Sequence, residues 1–192
     1  LLISILKDEK SIKEIEDKGS KLFSKDSTWW SYVGSSYKKM NLFSEARDAY
    51  LKSIELNPEY SYDHNNLGNI YLSLNDPKNA IKSFKEAIRI NDWNELFRYG
   101  LSKAYLLDSN IDQAEIEIKA TIKSYSGDKD YFLHYAKVLG EKYKTKYPNA
   151  LEVFTNYVNE TSPHEARFDE VKSKIKLFLN NCDHYRAKSD FL

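Results

Sequence analysis

Cysteine occurs once in the 192 residues, at Cys182, which excludes an internal disulfide framework and any multi-cysteine zinc site. An excess of charge is lacking too. Lys plus Arg and Asp plus Glu number 29 each, so no global field draws the chain to nucleic acid, an anionic membrane or a basic partner. No long apolar run is present. Leu1 to Leu6, LLISIL, is too short to span a bilayer or to form a complete signal peptide. A soluble protein is therefore expected, with the cytoplasm favoured over the periplasm. The chain also lacks an initiator Met, so a fragment or processed form is expected. Catalytic patterns are missing. His64, His134, His164 and His184 are scattered, and no Gly-rich phosphate loop or nucleophile signature accompanies them. Asp130 and His134 share a helix face, but two side chains cannot close a metal site. No enzyme activity, metal or cofactor is expected.

Within Ser61 to Asn94, Leu67 and Tyr71 are one helical turn apart and lie on one face of a first helix, while Ala80, Phe84 and Ala87 form a stripe on a second. Asn75-Asp76-Pro77 separates the two, with Asp76 suited to cap the second helix and Pro77 to begin it. A single hairpin cannot bury both faces, so copies on either side are required. They are present. Counted from Ser61, Leu67, Gly68, Tyr71, Ala80, Phe84 and Ala87 hold positions 7, 8, 11, 20, 24 and 27. Counted from Ser27, Val33, Gly34, Tyr37, Ala46, Tyr50 and Ser53 hold the same ones. This pattern resembles the tetratricopeptide repeat, a helix hairpin of about 34 residues. The resemblance implies an all-α fold, a right-handed α-α superhelix of antiparallel helix hairpins. Fifteen Tyr against six Gly and four Pro fit hairpins whose core layers use large aromatic residues.

In chain order, one domain of repeats is expected. Residues 11–26 read as a half repeat, with Ile12, Ile15, Gly19 and Leu22 in second-helix register. Residues 27–60 and 61–94 read as full units. Residues 95–128 read as a third in which Ser102, Ile118 and Thr121 replace the usual Gly, aromatic and Ala. Residues 129–162 fit only with two extra residues within Glu141 to Tyr147. Residues 163–181, with Phe168, Val171, Ile175 and Phe178 on one face, read as a capping helix, and 182–192 as a tail. The run Lys142-Tyr143-Lys144-Thr145-Lys146-Tyr147 could stack on and contact nucleic acid, but the chain lacks a basic stripe, so it reads as a solvated turn and no nucleic-acid partner is expected.

By the resemblance, the first helix of each hairpin lines a concave groove that binds a peptide or protein segment. Those positions hold Ser31, Ser35 and Lys38, then Tyr62, Asn65, Asn69 and Leu72, then Leu96, Tyr99, Lys103 and Leu106, and finally Leu133 and Lys137. Asn65 and Asn69 would meet the amides of an extended peptide, and Tyr62 and Tyr99 would add apolar contact with a polar tip. Some relatives clamp the C-terminal carboxylate of a chaperone with cations and asparagines. The corresponding positions here hold Ser31, Ser35, Asn66, Leu96 and Gly100, or one unit later Asn65, Asn69, Gly100, Asp130 and His134. Neither set carries the cations that a carboxylate needs, so a chaperone tail is disfavoured. An interaction scaffold with an unidentified partner is the leading expectation. The alternative is an assembly domain of a larger protein, packing through its ends or on itself.

Overall fold

A computed structural model describes residues 9–124, 128–160, 173–178 and 180. These residues are helical with no strand, in the order α1 Glu9–Phe23, α2 Ser27–Lys39, α3 Phe43–Leu56, α4 Ser61–Ser73, α5 Pro77–Ile90, α6 Glu95–Leu107, α7 Ile111–Ser124, α8 Lys129–Tyr143 and α9 Ala150–Glu160. Residues 173–178 are helical as well. The chain divides into two compact units, Leu1–Asp108 and Ser109–Leu192.

In the first unit, α2 pairs with α3 and α4 with α5, and α6 packs on α5 and α4. Local chemistry sets the helix starts. Asp26 accepts from the Thr28 amide at 2.9 Å, Asp76 from Asn79 at 3.2 Å and Asn94 from Leu96 at 3.1 Å, satisfying donors that a helix start leaves free. The turns after α2, α4 and α6 have a requirement that periodicity does not reveal. Asn41, Asn75 and Ser109, each 14 residues after its unit's first residue, have φ of 61°, 57° and 60°. At the first two, the next amide bonds back across the helix end, Leu42 to the Tyr37 carbonyl at 3.0 Å and Asp76 to Tyr71 at 2.8 Å. Asparagine tolerates this left-handed geometry better than most residues.

Packing between hairpins centres on flat aromatic rings. Tyr50 of α3 lies against Gly34 of α2, where an added Cβ would come within 3.0 Å of the ring. Phe84 of α5 is covered on two sides. A Cβ at Gly68 of α4 would sit 2.9 Å from its ring, and one at Gly100 of α6 would overlap it further. Ser102, the expected small residue of the third unit, is buried, but the closest approach lies two residues earlier at Gly100. Tyr71, on the same face of α4 as the buried Leu67, is half-buried against the core. At the N-terminal end, Ile12 is buried and Gly19 abuts the Trp29 ring. Leu22 departs from the expected packing, being 78% exposed, while Phe23 stacks on Trp29 at 5.4 Å.

A polar knot joins α2, α3 and α4. Asp63 is 1% exposed, and Ser31 Oγ donates to its Oδ1 at 2.6 Å. Ser31 is thereby removed from the set of free groove residues. Ser53 Oγ lies 2.6 Å from Asp63 Oδ2 and 2.7 Å from the Ser27 carbonyl. One hydroxyl proton cannot serve both acceptors. If it goes to the carbonyl, Oδ2 must carry a proton and donate to Ser53. Burial pushes the Asp63 carboxyl up, and the serine hydrogen bonds offset only part of that.

In the second unit, α7 packs on α8 and α8 on α9. Ile118, Ile122, Phe132, Tyr135, Leu139, Ala150 and Phe154 are buried. Both the first helix and the connection after it are longer here: α8 has 15 residues where α2, α4 and α6 have 13, and six residues separate it from α9 where three separate α2 from α3 and α4 from α5. The lysine run is not simply solvated. Lys142 bridges Asp112 at 2.8 Å and Glu115 at 2.6 Å, and Tyr147 is buried. Within the expected capping helix, Ile175 is buried and Phe178 meets Phe154 edge-on at 5.5 Å. Phe168, Val171 and the 182–192 tail with Cys182 lie outside the described residues, as do Leu1 to Lys7.

Two outcomes follow from this packing. Gly100→Ala should cost about 1 to 3 kcal/mol by overpacking Phe84, whereas Lys39→Ala on the exposed side of α2 should stay within about 0.5 kcal/mol. Equal urea midpoints for the two variants would contradict the packing. For Asp63, a folded pKa raised above the unfolded one means that the native state holds the proton more tightly. Stability should therefore fall as pH rises from the ordinary carboxylate range to the raised value, then level off. Asp63→Asn should flatten that part of the stability profile measured by urea titration, and an unchanged slope would count against it.

Candidate functional site

The sequence-predicted groove residues divide between the two units. Ser35, Lys38, Tyr62, Asn65, Asn69, Leu72, Tyr99, Lys103 and Leu106 belong to α2, α4 and α6 of the first; Lys137 is exposed on α8 of the second. In the first unit, α4 is tied to both neighbours. Ser31 and Lys38 of α2 reach Asp63 and Asn66 of α4, and Tyr62 of α4 meets Phe97 of α6 edge-on at 5.7 Å. Helices of equal length place equivalent positions in rows across this face, Ser35, Asn69 and Lys103 in one and Lys38, Leu72 and Leu106 in another. All six are half-buried.

Their chemistry differs from the simple expectation. Asn69 Nδ2 donates to the Asn65 carbonyl of its own helix at 3.0 Å, so part of the amide expected to face a peptide is already committed. Tyr62 keeps 46% of its surface exposed, and its hydroxyl lies 3.5 Å from Asn94 Nδ2. Ser35 lies within electrostatic reach of the Tyr50 hydroxyl, which is buried without a hydrogen bond of proper geometry.

The two lysines are the most distinctive feature. Lys38 Nζ is 3.4 Å from Asn66 Oδ1, a long contact with a neutral acceptor. Lys103 Nζ stands 4.5 Å above the Tyr99 ring. Burial lowers the pKa of both ammonium groups, and the charge of Lys38 lowers that of Lys103 further, so the two lie within electrostatic range. Neither has a carboxylate at ion-pair distance among the described residues. Sequence spacing had shown each lysine on its helix face but not their convergence. Asn66 had entered only as a position of the chaperone clamp.

Nothing among the described residues gathers three or more His, Cys, Asp or Glu side chains into a metal site. His134 is buried and Asp130 exposed. No helix among the described residues is long and apolar enough to cross a membrane.

Tetratricopeptide repeat profiles match residues 33–60 and 62–94. No curated protein sequence matches the chain significantly. Among solved structures, the chain is similar to MamA, at 18% identity and a TM-score of 0.63, over 96% of this chain and 99% of that one. It is also similar to YrrB, described as a TPR protein with an unusual peptide-binding site, at 21% identity and a TM-score of 0.63, over 93% and 86% of the two chains. A third likeness is to the first TPR of Spaghetti (RPAP3) bound to the HSP90 peptide SRMEEVD, at 16% identity and a TM-score of 0.58, over 60% and 92%. Residues 33–94 thus carry two tetratricopeptide repeats, and the chain shares the fold of these tetratricopeptide-repeat solenoids.

Proposed function

We propose that this chain is a non-catalytic interaction scaffold that holds an extended segment of a protein partner in the concave groove of α2, α4 and α6. The observation that carries this reading is the set of side chains that three helices bring to one face, with Lys38 and Lys103 half-buried without an acidic partner among the described residues, Tyr99 half-buried and Tyr62 exposed. Ser35, Asn65, Asn69, Leu72 and Leu106 complete the surface. Mixed polar and aromatic lining suits a polypeptide, whose amides need partners and whose side chains need apolar shelter. Peptide binding by the similar structures supports the same reading. Of the chaperone-clamp positions, only Asn66 carries a suitable residue in the first register, so a chaperone tail bound in that manner is disfavoured. A second reading, an assembly domain that packs through its surface, is favoured by Trp93, 83% exposed at the turn between α5 and α6.

Selection from a random peptide display library on the full chain tests the groove. Enriched peptides should lose about tenfold in affinity, about 1.4 kcal/mol, on Tyr99→Ala or Leu72→Ala and should be unaffected by Lys119→Ala on α7. Peptides that bind all three variants as tightly as the parent chain would place recognition elsewhere.

A further inference from the structure

Lys38 and Lys103 differ from the many exposed lysines of this chain in being half-buried, and from its ion-paired cations in having no carboxylate partner among the described residues. Lys119, Lys142, Lys144, Arg47 and Arg89 each meet a carboxylate, two of them for Lys142 and Arg89. Lys38 and Lys103 meet an amide oxygen and an aromatic face instead. Both partners are weak substitutes for a carboxylate, and neither cancels a charge. Partly dried and mutually repelling, the two ammonium groups gain most from a ligand that brings negative charge to both.

We infer that Lys38 and Lys103, with Asn66 and Tyr99 beside them, form a recognition site for an acidic polypeptide segment, two neighbouring Asp or Glu side chains bridging α2 and α6 across α4. This assignment rests on the groove reading above and adds the chemistry of its ligand. Two ammonium groups on different helices call for two negative charges. Adjacent acidic side chains supply them, whereas a lone chain terminus brings one. Asn66 can turn its amide N–H toward a carboxylate oxygen once Lys38 leaves its carbonyl side. Tyr99, under the Lys103 ammonium, offers an apolar edge to the methylenes of a glutamate. The site differs from the family's chaperone clamp in position, since its cations come from Lys38 and Lys103, neither of which falls in that register.

Isotope-edited amide spectra of the full chain, titrated with short peptides, test the assignment. The probe is capped Ala-Glu-Glu-Ala, with no free terminus; the comparisons are capped Ala-Gln-Gln-Ala, an Ala peptide whose only charge is its C-terminal carboxylate, and inorganic phosphate. The glutamate peptide should shift amides around Lys38, Asn66 and Lys103 and bind about tenfold tighter than the glutamine peptide. That preference should shrink in about 0.5 M salt. Lys38→Gln and Lys103→Gln, each with unchanged helicity, should each remove most of it. Equal binding of the glutamate and glutamine peptides on this face would overturn the acidic ligand and leave the groove reading standing. If neither peptide perturbs the face, both readings fail. Binding by the lone carboxylate or by phosphate that equals the glutamate peptide would overturn the assignment of an acidic pair.

Discussion

The contact of a flat aromatic ring with a glycine backbone sets the spacing on which the first unit depends. Phe84 leaves α5 and lies between Gly68 of α4 and Gly100 of α6, so one side chain fixes how closely the next hairpin can approach. Tyr50 does the same against Gly34. Close packing on a fully buried ring leaves little freedom to slide, because interiors at native density lose dispersion contacts with small gaps and clash with small overlaps. The position of α4 and α6 follows from that contact. With it comes the row of side chains that forms the candidate groove.

Two charged clusters use this framework in opposite ways. Asp63 is buried deeply and satisfied by Ser31 and Ser53, so its polarity joins three helices and leaves little for a partner. Lys38 and Lys103 are buried less, yet their contacts within the chain leave both charges uncompensated. A satisfied buried polar group adds specificity to packing, whereas an uncompensated one lowers the cost of bringing in an opposite charge. That contrast supports a structural role for the first cluster and a binding role for the second.

Much of the fold was legible because its cause is periodic. The 34-residue spacing of Gly34, Tyr50, Gly68 and Phe84 identified the hairpins, and Asp76-Pro77 marked a helix start that the structure caps through the Asn79 amide. What escaped was set by neighbours distant in sequence. Gly100 is two residues away from the repeat position that Ser102 holds, and only the ring of Phe84 shows why it matters. Ser31 looked like a groove residue because its helix position is right, but Asp63 claims its hydroxyl. Likewise the left-handed backbone at Asn41 and Asn75 follows from closing the helix end, a demand that glycine would have advertised and asparagine does not. The convergence of Lys38 with Lys103 needs two repeats packed together before it exists.

Native-state amide exchange on Phe84→Ala measures most directly whether this ring holds neighbouring hairpins together. Protection should fall jointly in α4, α5 and α6, since α5 loses its contact with Gly68 and Gly100 at once, while α8 and α9 of the second unit keep theirs. Loss confined to α5, with α4 and α6 as protected as before, would show that the hairpins stand without the ring and would contradict the account.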